Sequence, residues 1–345
     1  MQLYLSKKAV FQSLAALIAL TFQARADSVS DFYAGKSISL VISTSVGGGF
    51  DSYGRLLSRH LTKHVPGAPK VIVQNMPGAG GITAANYLFS VAPRDGLTVG
   101  LVQNSILLEP YFGTKEAKYD VTKFNWLGSA SKDTLVFLLW HTVPVNTIAE
   151  GKNREMKLGV FGANSSNAFA GRLLAQLFGL KIELISGYQG TSDQGLGMER
   201  GENDGTTLTY SAIKSTKPDW LSKKLIKVLM QLGDEPVAEL KDVPLALDLL
   251  TDPNDKLALT TAMATYSIAK PYLLPPSVPP ERVIALREAM SKVFKDPEYL
   301  AECAKLSLDC TVTSTGEEVV QLLQKIYSGP KEVRDQLIRI YDMGK

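Results

Sequence analysis

Reactive side chains are scarce in this chain. Two cysteines and three histidines in 345 residues leave little material for a metal centre or a thiol redox site. His60 and His64 stand one helical turn apart. No glutamate lies between them as in a His-Glu-x-x-His motif, and no third ligand follows nearby, so a solvated helix face is expected and a metal is not. The remaining histidine, His141, has no Gly-x-Ser-x-Gly elbow to serve, which makes a serine hydrolase hard to build. The glycine run 47–49 is followed by Phe50, where a phosphate-binding Walker loop needs Lys and Ser/Thr. "GAGGIT" (78–83) places Thr83 where a dinucleotide fingerprint needs its third small residue. No catalytic residue and no cofactor is therefore assigned. An excess of charge is missing too: 37 Lys and Arg oppose 34 Asp and Glu, and such a balance excludes nucleic acid as a partner.

Residues 1–26 read as a secretory signal peptide. Lys7 and Lys8 precede an apolar stretch from Ala9 to Phe22, and Ala24-Arg25-Ala26 supplies a small-x-small cleavage site. Its removal takes away Lys7, Lys8 and Arg25 and no acid, so the formal charge of +3 falls to zero. No later segment approaches the roughly 18 apolar residues that a membrane span requires. A soluble, exported, periplasmic monomer is expected. In such a compartment Cys303 and Cys310, with six residues between them, either close a small disulfide clip or remain two buried thiols.

What the chain does contain is alternation. β-rich runs and helical patterns follow one another: "KSISLVIST" (36–44), a helix carrying Phe50, Tyr53, Leu56, Leu57 and Leu61, "KVIVQNM" (70–76), a helix over 82–92, then "LTVGLVQN". This order predicts βαβ units and a mainly parallel sheet. "TLVFLLWH" (134–141) leaves that unit. A second series of strands and helices follows, with a helix expected over 244–262 and a returning extended segment up to Pro276. Helices over 279–295, 297–306 and 316–342, broken at Gly329-Pro330, close the chain. The simplest arrangement is α/β with two lobes, although βαβ order alone also permits one larger sheet. Lobe 1 would be 27–138 plus 263–345 and lobe 2 an insert over 139–262, with hinges near 134–145 and 259–275.

Ligands of open α/β sheets bind beyond the carboxyl ends of the strands, where helix N-termini present free N–H groups and favour anions. Four such turns occur. "SVGGGFD" offers Val46, Gly47, Gly48 and Gly49, with Asp51 at the helix start. "VQNSI" offers Asn104 and Ser105. "GANSSNAF" offers Asn164, Ser165, Ser166 and Asn167. "GYQGTSD" offers Gly190, Thr191 and Ser192. Each alone is explained by a capped turn. Four of them divided over two lobes point to one cleft holding a small carboxylate through N–H and hydroxyl donors, since no cation lies inside these loops. Tyr188, Tyr210 and Trp220 either line that cleft or pack in the core; Tyr210 is taken as a site residue.

Several stretches resemble one family. "FYAGKSISLVISTSVGGGFDSYGRLLSRHL", "VIVQNMPGAGGITAANYL", "APRDGLTVG", "GYQGTSDQGLGMERGENDG" and "LKDVPLALDLL" resemble the substrate-binding proteins of tripartite tricarboxylate transporters, the Bug receptors. The resemblance runs from about Phe32 to the C-terminal helices. It implies a type II periplasmic binding protein whose two α/β lobes close on a small carboxylate and deliver it to a permease of one large and one small membrane subunit. It points to Val46 through Gly49, Asp51, Asn104, Ser105, the "NSSN" turn and Gly190 to Ser192 as ligand contacts. The chain departs from the family pattern at "STSV" before the glycines, at Asn104-Ser105 and at "TTLTY". The family's usual citrate-like or amino dicarboxylate ligands are therefore not carried over. Two other readings stay open: an exported enzyme using Asp51 or Asp204 for acid/base work, and a binding partner of a sensor.

Overall fold

The computed structural model describes residues 29–343 except Ser45, Gly48, 161–164 and 189–190. The expected signal peptide lies outside these residues. No helix among the described residues is long and apolar enough to cross a membrane.

Strand β1 (Ser37–Ile42) alternates into burial and feeds helix α1 (Gly49–Leu61). Tyr53, Leu56, Leu57 and Leu61 fall on one face of α1 and are buried. Each such side chain contributes about 1.5–3 kcal/mol. Asp51 in the first turn and Arg59 and His60 in the last agree with the helix dipole. Gly54 lets α1 lie close to β1, because a β-carbon there would stand 2.3 Å from Ile42 Cδ1. Strand β2 (Lys70–Asn75), helix α2 (Ile82–Ser90) and strand β3 (Thr98–Leu101) complete two parallel units around the central β1. Strand β4 (Asn125–Ser129) ends this first pass.

Strand β5 (Leu135–Trp140) enters a second sheet. There follow β6 (Met156–Val160), α3 (Ser166–Phe178), β7 (Ile182–Ser186), α4 (Thr191–Glu199), β8 (Gly205–Thr209), α5 (Tyr210–Thr216) and β9 (Ile226–Leu232). The expected 244–262 helix is two helices: a turn at Ala246–Leu249 and then α6 (Pro253–Ser267). Asp252 caps α6 and Pro253 occupies its first turn, so the helix starts late and runs on to Ser267. Strand β10 (Pro271–Leu274), helices α7 (Pro280–Val293) and α8 (Pro297–Lys305), the short β11 (Ser314–Thr315), and helices α9 (Gly316–Tyr327) and α10 (Lys331–Asp342) follow.

Two sheets result, with strand orders β11-β4-β10-β3-β1-β2 and β7-β6-β8-β5-β9. Both are mixed: β10 and β11 run antiparallel in the first, and β5 runs antiparallel to β8 and β9 in the second. Apolar clusters cover both faces of each sheet. Cys303 and Cys310 form a disulfide with Cα atoms 6.4 Å apart, closing the turn after α8.

The lobe limits fall differently from the expected ones. All of β5 belongs to the second sheet, so the first crossing lies at 130–134. The second lies at 268–270. The two crossings are bonded to one another, Ala130 N to Lys270 O at 3.1 Å and Ala269 N to Ser131 O at 3.2 Å. The last helix also departs from the first lobe. Val333, Leu337 and Ile340 of α10 are buried with α3 and α6 beside the second sheet. Arg172 of α3 donates Nε to Ile340 O at 2.9 Å, a cation at the carbonyl end of α10. The apolar face of α10 decides this placement, and the chain crosses a third time near Gly329-Pro330.

Candidate functional site

The glycine loop after β1 is folded by its own aspartate. Gly47 has φ +89° and donates its N–H to Asp51 Oδ2 at 2.9 Å. Arg55 Nε reaches the same oxygen at 2.9 Å, and Asn75 Nδ2 donates to Asp51 Oδ1 at 3.0 Å and to Thr44 O at 2.9 Å. Burial pushes the Asp51 carboxyl up, but the bonds from Arg55, Gly47 and Asn75 together outweigh it and hold the group at about 2. Asp51 is thus an ionised strut of the loop, with its lone pairs committed inside the protein. Asp204, the other candidate acid, accepts from Lys157 N at 2.8 Å, ahead of the carboxyl-end turns.

After β3 the chain turns into a short 3-10 helix, Asn104–Leu107. Gln103 N donates to Ser43 Oγ at 2.7 Å, tying this turn to the glycine loop. Asn104 donates its amide to Thr265 O in the last turns of α6, and Ser105 donates to Gly80 O at 2.8 Å. On the other side Ser165 caps α3, accepting from Ala168 N at 3.4 Å and donating to Asn167 Oδ1 at 2.6 Å. Ser166 hydrogen-bonds the Tyr266 hydroxyl, whose acidity burial reduces. Between these two turns lies a cavity of about 370 Å³. Asn104, Ser105, Glu109 and Phe112 from the turn after β3 line it together with Ser165, Ser166 and Phe169 of α3 and its cap, Tyr266 of α6 and Tyr341 of α10.

Residues 55–333 match the profile described as the tripartite tricarboxylate transporter family receptor. The chain belongs to that family. The UPF0065 protein of the gbd 5' region of Cupriavidus necator is 37% identical over 110 residues, which is 32% of this chain and 29% of that protein. A Bordetella bronchiseptica UPF0065 protein is 36% identical over 26% of this chain and 25% of its own length. These matched stretches thus span under a third of either curated relative. A TctC solute-binding protein from Polaromonas has a similar fold, with a TM-score of 0.71 at 19% identity, over 90% of this chain and 99% of that one. MatC from Rhodopseudomonas palustris with bound malate gives 0.54 at 16% identity over 89% and 99%. An R. palustris protein with adipate gives 0.57 at 17% over 88% and 98%.

In this family member the sequence-picked residues divide into three groups. Asn104, Ser105, Ser165 and Ser166 meet at one cavity. Val46, Gly47 and Gly49 are exposed, Asp51 and Asn167 are buried, and none of these five lines its walls. Tyr210 is buried with Val136, Leu138 and Trp220, and Lys214 Nζ stands 5.0 Å from its ring centre. It belongs to the core of the second sheet because α5 turns it inward. Tyr188 is buried as well and accepts from Asn203 Nδ2 at 2.9 Å. Gly48, Asn164 and Gly190 lie outside the described residues, as do the side chains of Thr191 and Ser192.

Two surprises concern the charges. The helix bearing His60 is covered by α8, so His60 is buried instead of solvated and contacts Glu302 Oε2 at 2.7 Å, while His64 contacts Asp296 Oδ2 at 2.9 Å. His60, Asp296 and Glu298 have ligand atoms close enough for a metal. Lys63 Nζ already stands 2.6 Å from Asp296 and 2.7 Å from Glu298, so the group is an ion-pair clamp between α1 and α8. Second, Lys270 sits where β10 begins, with Nζ 4.6 Å from the Phe50 ring centre and 5.4 Å from that of Tyr53. Because β10 runs antiparallel to β3, Lys270 lies at the carboxyl edge of β1 and β3. It lies outside all four turns picked from the sequence. The available signal was a lone charge inside the apolar run "SIAKPYLL" (267–274).

Proposed function

We propose that this chain is an exported solute receptor that captures a small carboxylate between its two sheets, closes over it, and delivers it to the membrane subunits of a tripartite transporter. The observation that carries this reading is the cavity whose lining brings together hydrogen-bonding side chains from beside the two sheets, Asn104 and Ser105 with Ser165 and Ser166. Relatives of the same fold hold malate and adipate, which supports a carboxylate of similar size. Donors around a carboxylate contribute about 1.5–3 kcal/mol each.

Closure would bend the chain at 130–134 and 268–270, with ligand contacts on both sides stabilising the closed form. A thermal-shift panel of C3–C6 dicarboxylates, aromatic acids and amino acids, with native mass spectrometry for a co-purified molecule, tests capture. A true ligand at a hundredfold over Kd adds about 2.7 kcal/mol. Hydrogen exchange should slow together at 43–49 and 165–168 on saturation; unchanged exchange at both would overturn the interlobe reading. Delivery is tested by reconstituting permease subunits in vesicles, where uptake must depend on this chain.

A further inference from the structure

We infer that Lys270, at the carboxyl edge of β3 and outside the lining of the Asn104–Ser166 cavity, is a charge anchor that seats a ligand carboxylate on its ammonium beside the first turn of α1. This deepens the receptor reading and rests on it. Four observations converge. Lys270 is held by its backbone on the ribbon of the two crossings: its N–H donates to Ser129 Oγ at 3.0 Å, and its carbonyl accepts from Ala130 N at 3.1 Å. Its ammonium is parked against Phe50 and Tyr53, the α1 side chains that immediately follow the glycine loop. The positive end of the α1 dipole lies at the same place, so two positive sources add there. No carboxylate among the described residues is within ion-pair distance of Lys270, whose nearest oxygen partner is its neighbour's carbonyl, Ala269 O at 3.3 Å.

The surrounding acids are already committed. Asp51 is neutralised by Arg55. Asp133, on the first crossing, accepts from Thr134 N at 2.9 Å and from Ser211 Oγ, and interacts with Lys270 only at longer range. A half-buried cation beside a helix N-terminus and two aromatic faces loses water without gaining a counter-ion. Burial accordingly holds the Lys270 ammonium below the usual lysine range. A ligand carboxylate supplies the missing counter-charge and favours the protonated form. The site so defined selects an anion over its neutral amide, which N–H and hydroxyl donors alone do only weakly.

The test uses the full mature chain and calorimetry. Malate, adipate, succinate and benzoate are titrated, each paired with its amide, from neutral to alkaline pH. Wild type should bind a carboxylate and reject its amide, and should lose affinity as pH rises through the depressed Lys270 value. Tyr53 faces the same ammonium but is pushed up to about 12, so it does not titrate on that limb. Lys270→Met should weaken carboxylate binding about ten- to a hundredfold, leave amide binding unchanged and abolish the alkaline limb. Lys270→Arg should keep affinity and extend it to higher pH. If Lys270→Met fails to fold, the comparison of wild type with Lys270→Arg decides through the pH profile alone. A Lys270→Met protein that binds like wild type, or a Lys270→Arg protein with an unshifted alkaline limb, overturns the anchor and leaves the receptor reading standing. A wild type that binds none of the four acids overturns both.

Discussion

Phe112 and Tyr341 stack face to face, with ring centres 4.5 Å apart and planes 5° from parallel. One follows β3 on the first sheet's side; the other ends α10 on the second. Both border the cavity. Such a pair is worth about 0.5–1.5 kcal/mol beyond its buried area. A double-mutant cycle with Phe112→Ala and Tyr341→Ala, followed by denaturant unfolding, should show coupling of about 1 kcal/mol. Additive effects would mean the stack carries no energy.

Asp51 should make the protein acid-sensitive. Its folded value of about 2 lies below the ordinary 3.8, so the stabilisation is full above pH 4 and fades as pH falls towards 2. The shift corresponds to about 2 kcal/mol, reduced to about 1–2 because Arg55 is 43% exposed and screened. Asp51→Asn should lower stability at neutral pH by that amount and flatten the acid limb of an unfolding-versus-pH curve. An unchanged limb would remove Asp51 from the account.

Gly54 is where α1 touches the sheet. Gly54→Ala drives a methyl into Ile42 Cδ1 and should cost about 1–3 kcal/mol. Because α1 carries the glycine loop and Phe50 at its start, carboxylate affinity should fall as well. Shortening the obstacle with Ile42→Val should recover part of both losses in a melting and calorimetry comparison.

Reducing the Cys303–Cys310 bond releases a short loop. For seven intervals of chain the loss is roughly 2.5 kcal/mol on the chain-entropy account. The Cys303→Ser, Cys310→Ser double variant should show it as a lower unfolding midpoint with ligand affinity unchanged, since the clip lies on the α8 side, among the core residues of the first sheet.

Local pattern carried most of the fold. The glycine loop, the Ser165 cap and the alternation of strands and helices are short-range signals, and apart from the 244–267 stretch the elements stand where periodicity places them. The assignments that moved depended on distant partners. His60 reads as solvated on its own helix, and only the packing of α8, more than 200 residues away, buries it against Glu302. Tyr210 is one residue past a strand that points into a cleft, yet α5 turns it to the core. Asp51 offers a free carboxylate in sequence, but Asn75 and Arg55 consume it. Lys270 could be recognised only once antiparallel β10 was seen to return to the edge of β3.

Three passages of chain join the two sheets, at 130–134, 268–270 and near Gly329-Pro330, and the third binds α10 to the far body. Rigid bodies held at two neighbouring points swing freely about the line between them; a third tie off that line acts as a stay. Any clamshell motion here must therefore also flex the link between α9 and α10. The energy of such a motion would then be written partly in the C-terminal segment, whose Tyr341 borders the cavity.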